Sequence, residues 1–280
     1  MKTVVVVRPD VPHLAAQPTR WNPSADAFKA CFEARGWKVK ETSQTISSRP
    51  DLVAGYGWKL VMRGAHHRWP EIVLHCDLGF WSREKYMKLA LGDRWSPLVD
   101  RDYDDSRLRK HGVKIEPSRK PGKRVLVCGM SAKAAGTWDL QPEQWEQRAI
   151  KRLVAAGAAP VIYRPKPTWH AARPIKDAEF DRGTDIKQTL AQVDAVVSHH
   201  SNAAIDALAA GLPIYVETGI ARSLSAPTIE EAVGAEAPEL EARTRFLRQV
   251  AWHQWDFREL AEGAWLEPPA PLAGHPAFAT

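Results

Sequence analysis

Cysteine is scarce in this chain: Cys31, Cys76 and Cys128 are odd in number, far apart and outside any C-x-x-C spacing. Such a set implies neither a disulfide framework nor a zinc site. Long apolar runs are also missing. Val4-Val5-Val6-Val7 stops at Arg8-Pro9-Asp10, far short of a signal-peptide core or a membrane span, and reads as a first β-strand. No internal repeat or low-complexity tract stands out. Neither sign of charge dominates, since 39 Lys and Arg against 33 Asp and Glu leave +6 and a pI near 9.2. That balance favours a polyanionic partner without requiring one. These features read as a cytoplasmic protein with no membrane partner, and they are silent on oligomeric state.

With 280 residues the chain can bury a substantial core in one large or two small domains. The N-terminal part predicts strand 2–7, helix 24–35 closed by Gly36, and strands 37–41, 52–54 and 71–76. Residues 94–120 are charged and irregular, and 117–122 is the expected linker. A second α/β alternation follows, with strand 123–128, helix 142–156, strand 160–163 and a short helix 186–192. A long amphipathic run spans 239–263, and from Pro268 onward a loose tail is expected. The expected domains are therefore 1–120, 121–240 and a C-terminal segment 241–280.

The richest stretch is Asp194 to Val216, DAVVSHHSNAAIDALAAGLPIYV. It reads as strand, polar turn, small-residue helix, Gly-Leu-Pro stop and second strand. Ser198-His199-His200-Ser201-Asn202 gathers donors at the helix entrance, where unpaired N–H groups and the helix dipole favour a diphosphate. Gly211 and Pro213 end the helix.

These residues resemble the donor half of GT-B nucleotide-sugar glycosyltransferases, which have two Rossmann-like domains facing a cleft. The resemblance implies an α/β fold of that kind, with the C-terminal helix crossing back to the first domain. Tyr163-Arg164-Pro165-Lys166-Pro167 is similar to the R-P-H-P segment of bacterial capsule polysaccharide and polysialic acid transferases, whose paired serine corresponds to Ser201-Asn202. Lys166 stands where that family has histidine, and Asn202 where it has the second serine. Asp77-Leu78-Gly79-Phe80-Trp81-Ser82-Arg83, with Gly55-Tyr56-Gly57-Trp58 and Gln254-Trp255, looks like small bacteriophage transferases, some of which glycosylate hydroxymethylated DNA bases.

Glycosyl transfer needs a pocket for the nucleotide diphosphate, charges or N–H groups that stabilise its departure, and a base for the acceptor hydroxyl. Ser131 and Lys133 follow one strand, Arg164 and Lys166 the next, and His199, His200, Ser201 and Asn202 the last. Three strand ends thus direct polar groups toward one crevice. Asp206, on the helix, is a further donor-side candidate. Asp77 is the first choice as general base; His75 and Asp10 are reserves. Gly55, Tyr56, Gly57, Trp58, Phe80, Trp81 and Arg83 suit an acceptor by stacking and charge. Arg63, His66, His67 and Arg68 form a basic cluster beside them.

Plain structural readings stand next to each: a stiff solvated turn for 164–167, helix capping for the histidines, turn formation for Asp77. No tightly bound cofactor is expected, and no metal is indicated: His199 and His200, adjacent on an extended segment, are expected to point apart, and Asp100-x-Asp102 lies in an acidic loop. The leading expectation is a nucleotide-sugar transferase, with a UDP-sugar or other donor, acting on a hydroxymethylated pyrimidine in DNA. If phage-encoded, it would work in the host cytoplasm. The alternatives are a transferase of surface or capsular polysaccharide and a non-catalytic nucleotide- or DNA-binding module.

Overall fold

A computed structural model of the chain describes residues 1–8, 18–57, 68–92, 98–99 and 101–278, without the side chains of 18–21. The chain divides into two compact units, Met1–Arg107 with Arg248–Thr280, and Leu108–Leu247. Residues 117–122, read above as a linker, lie inside the second.

The first unit holds β1 (Thr3–Val7), α1 (Pro18–Glu33), β2 (Lys38–Thr42), β3 (Leu52–Tyr56), β4 (Val73–Leu78) and β5 (Tyr86–Leu91). β1 is a β-branched run buried along nearly all its length, the signature of a parallel strand covered on both faces. β2, rich in charge and partly exposed, suits a sheet edge. The helix α2 (Ser106–Lys110) crosses into the second unit.

In the second unit follow β6 (Val125–Cys128), α3 (Ala132–Ala135), α4 (Gln144–Ala155), β7 (Val161–Arg164), β8 (Glu179–Phe180), α5 (Ile186–Leu190), β9 (Ala195–Ser198), α6 (Ala203–Ala209) and β10 (Ile214–Val216). α4 buries Trp145, Glu146, Ala149, Ile150 and Leu153, one stripe at helical spacing. α7 (Leu240–Ala251) leads back to the first unit, where β11 (Gln254–Asp256) and α8 (Phe257–Glu262) complete the chain's regular elements.

The first sheet has the order β11-β5-β4-β3-β1-β2. β2, β1, β3 and β4 are parallel, while β5 runs antiparallel to β4 and β11 antiparallel to β5. The single amphipathic run expected over 239–263 is thus broken by a strand. α8 is closed by a capping box, Asp256 accepting from the Glu259 N–H while Glu259 accepts from the Asp256 N–H. The expected loose tail packs instead: Ala270 is fully buried, and Phe278 meets Trp265 edge-on at 5.2 Å. Trp265 also meets Phe28 and Phe32 at 6.3 and 6.1 Å, pairs that add about 0.5–1.5 kcal/mol each beyond their burial.

The second sheet is wholly parallel, in the order β10-β9-β6-β7-β8. The chain goes from β6 outward through β7 and β8, then returns to β9 on the opposite side of β6. The order reverses between β6 and β9, the place where open parallel sheets bind ligands at the strands' carboxyl ends.

Candidate functional site

Register makes the carboxyl edge of the second sheet even. Cys128 of β6 lies opposite Arg164 of β7 and Ser198 of β9, and Ser198 lies opposite Val216 of β10. Four strands therefore end level, and the residues after them emerge side by side. The backbone stitches these exits together, with Gly129 N–H on the Arg164 carbonyl at 2.8 Å and Thr218 N–H on the His199 carbonyl at 2.9 Å.

His199 is buried, at 6 % exposure, and its ring is boxed by Trp138 at 4.9 Å, Trp145 at 5.8 Å and His200 at 5.0 Å. Trp138 also lies 6.0 Å from His200. The two imidazoles do not point apart, as expected from an extended segment, but meet Nδ1 to Nδ1 at 3.0 Å. The turn after Ser198 leaves extended geometry, so adjacent side chains converge. One proton serves that bond. It survives with the pair neutral or singly charged, and is lost when both rings are charged, because then both Nδ1 atoms are donors. Burial holds the His199 pKa below the usual histidine range, an effect that Glu217 opposes.

Ser201 Oγ accepts from the Ala203 N–H at 3.2 Å at the entrance of α6. Asn202 makes no side-chain capping bond, and its enclosed Nδ2 has no hydrogen-bond partner among the described residues. α6 has seven residues, too short for a strong dipole. Asp206 is half-buried on this helix. Ser131 caps α3 by accepting from the Ala134 N–H at 3.3 Å, and Lys133 is exposed on that helix. Because Trp138 follows α3 directly, the 131–138 segment is folded onto the two histidines.

Arg164 goes elsewhere. Its side chain is 5 % exposed, and Nη1 donates to Asp181 at 2.6 Å and to Thr189 at 3.0 Å, so its charge is matched inside the fold. Lys166, beyond Pro165, is exposed. Glu146, missed by sequence reasoning, lies fully buried beneath the exit of β6, where Oε1 accepts from the Met130 N–H at 2.6 Å. Burial raises its pKa.

In the first unit Asp77 lies half-buried near the end of β4. Its Oδ1 accepts from the Leu78 N–H at 2.7 Å and from the Tyr56 hydroxyl at 3.3 Å. His75, two residues earlier, is buried opposite Gly55 and Ala90. Gly57 has a positive φ of 77° and donates to the Cys76 carbonyl. The segment 79–85 is the turn of a β4–β5 hairpin. Gln254 Oε1 accepts from Phe80 N–H at 2.7 Å and Trp81 N–H at 3.1 Å. Phe80 is buried under the Lys88 ammonium, whereas Trp81 is half-buried and Arg83 exposed. A buried Phe80 offers no open face to a base. Trp58, Arg63, His66, His67, Asp10 and Asp100 fall outside the described residues.

Among the described residues no group of three or more His, Cys, Asp or Glu side chains is placed to hold a metal. None of their helices is long and apolar enough to cross a membrane.

The architecture is a mixed α/β, two-unit fold of the GT-B-like type. Among solved structures the chain is similar to the Thermosulfurimonas dismutans KpsC, beta Kdo 2,4 transferase, with TM-score 0.54 and 12 % identity over 93 % of this chain and 98 % of that one. It is also similar to the KpsC beta Kdo 2,7 transferase of the same organism, with TM-score 0.54 and 14 % identity over 95 % and 99 %. No protein-family model matches the chain, and no curated protein does.

Proposed function

We propose that this chain is a glycosyltransferase that takes a sugar from a nucleotide-activated donor and passes it to a surface polysaccharide or its lipid-linked precursor. The carrying observation is the His199–His200 pair, boxed by Trp138 at the point where the second sheet reverses its strand order. Its weight comes from the fold, which is like that of two Kdo transferases over nearly the full length of all three chains.

In this reading Lys133 and a singly charged histidine pair bind the donor's phosphate, and Ser201 and Asn202 orient it. The Trp138 ring offers an apolar flank for the nucleotide. For the general base we propose Asp77. Its carboxylate takes the acceptor hydroxyl proton, the freed oxygen attacks the anomeric carbon, and the bond from that carbon to the phosphate oxygen breaks. The likeness to Kdo transferases supports a sugar acceptor over DNA. The buried Phe80 weakens the base-stacking reading of the first unit.

The test is nucleotide release and product mass spectrometry with a panel of activated sugars, a Kdo donor among them, each offered a lipid-linked oligosaccharide or hydroxymethylated DNA. Transfer to the oligosaccharide is expected, lost in His199→Ala. Asp77→Asn should keep donor binding while transfer falls on the order of 100-fold to 10,000-fold. Absence of nucleotide release with every donor would end the proposal, and labelled DNA would move the acceptor.

A further inference from the structure

The first unit contains a cavity of about 160 Å³ that no step of the proposed transfer uses. Among the described residues its walls include Leu89 and Leu91 of β5, Trp255 of β11, and Trp265 and Leu272 of the C-terminal segment, with His253 and His275 as the polar members. Strand alternation sets it apart from the candidate base. Asp77 lies opposite Lys88, whereas Cys76 lies opposite Leu89 and Leu74 opposite Leu91, so Leu89 and Leu91 project from the other face of the sheet. Trp255 lies opposite Met87 and shares the face of the two leucines.

Four properties describe the guest. The volume is close to that of cavities that hold a single benzene ring. Two indoles give it flat walls. Among the described residues no lining side chain is an Asp, Glu, Lys or Arg, so these walls would not compensate a charged guest for its lost hydration. The polar members are fixed as one acceptor and one donor. His253 Nδ1 donates to the Gln249 carbonyl at 2.7 Å, which makes Nε2 the acceptor atom. His275 Nδ1 accepts from the Ala277 N–H at 3.2 Å, which places that ring's proton on Nε2. A hydroxyl oxygen accepts from the His275 donor.

We infer that this cavity is a binding site for a small uncharged molecule of one ring carrying a hydroxyl group, a phenol or a cyclic alcohol. His275, exposed at the mouth, donates to the hydroxyl oxygen, and the ring lies among the leucines and indoles. The site stands whether or not the chain transfers sugars.

Fluorine NMR of 4-fluorophenol and of fluorobenzene, each titrated with the full-length protein, tests it. Saturable binding of 4-fluorophenol is expected, with fluorobenzene about tenfold weaker. Leu91→Trp, which fills the cavity, should abolish both; Leu272→Trp does the same from the other wall should the first variant fail to fold. His275→Ala should bring the two ligands to similar affinity. Shifts that stay linear to the highest concentration, equal affinities in the unmodified protein, or binding that persists unchanged in a folded filling variant would overturn the inference.

Discussion

His199 and His200 share one proton between Nδ1 atoms 3.0 Å apart, against the ring of Trp138. Neighbours in sequence, they are joined by a hydrogen bond that holds only while one of the two Nδ1 atoms is unprotonated.

The folded-state pKa of His199 lies below its unfolded value because the ring is buried. Its contribution to stability is therefore fully present above the unfolded pKa, about 6.5, and is lost as pH falls below it toward the folded value. Urea unfolding at pH 8, 6.5 and 5.5 should show the protein losing stability faster than His199→Phe over that interval. Parallel curves would contradict it.

Glu146 runs the other way. Its folded pKa is raised by burial, so its contribution is present below the unfolded value, about 4.5, and fades as pH rises through the folded one. Glu146→Gln should gain on the parent as pH climbs from 4.5 to 8. Glu146→Leu deprives the Met130 N–H of its acceptor and should cost about 1–3 kcal/mol. Denaturant midpoints across that pH range decide both.

Arg243 is wholly enclosed, and its partners among the described residues are carbonyls and a hydroxyl rather than a carboxylate. It donates to Pro238, Glu116 and Leu208 carbonyls and to the Ser118 hydroxyl. Desolvation lowers its pKa. Arg243→Ala strands those acceptors and opens a void, and a loss of about 3–5 kcal/mol is expected in equilibrium unfolding. A loss under about 1 kcal/mol would show that water satisfies them.

Two glycines form a paired test. Gly36 and Gly211 both have positive φ, 73° and 76°, but a Cβ at Gly36 meets nothing within 4 Å, whereas at Gly211 it would fall 2.0 Å from the Pro117 carbonyl oxygen. Gly36→Ala should cost about 1–2 kcal/mol for the left-handed backbone alone. Gly211→Ala should cost more, since the 116–119 segment must also move from its hydrogen bonds to Ala209 and Gly211. Equal losses in thermal unfolding would remove the steric part of the account.

The parallel strands were legible because β1, β6 and β9 are short apolar runs bounded by polar turns, and the small-residue helix α6 announced its own stop at Gly211. β5 was not. Its sequence YMKLAL, preceded by Ser82-Arg83-Glu84-Lys85, looks like the start of a charged surface stretch, and its role depends on β11, far along the chain. Residues at strand ends were readable as a set, but their partners were not. Arg164 faces Asp181 and Thr189, two contacts that no local pattern encodes. Trp138 and Trp145 could not be singled out among 12 tryptophans, since only the packing of α3 and α4 brings them to His199.

The edge strand β11, supplied by residues 254–256, has a consequence for biosynthesis. As the polypeptide leaves the ribosome, the 108–247 stretch is available in full while the sheet begun by Val4 still lacks its last member. The portion synthesised first is therefore finished last, and a nascent protein stalled before residue 254 would carry β5 with one flank unpaired and ready to join another chain.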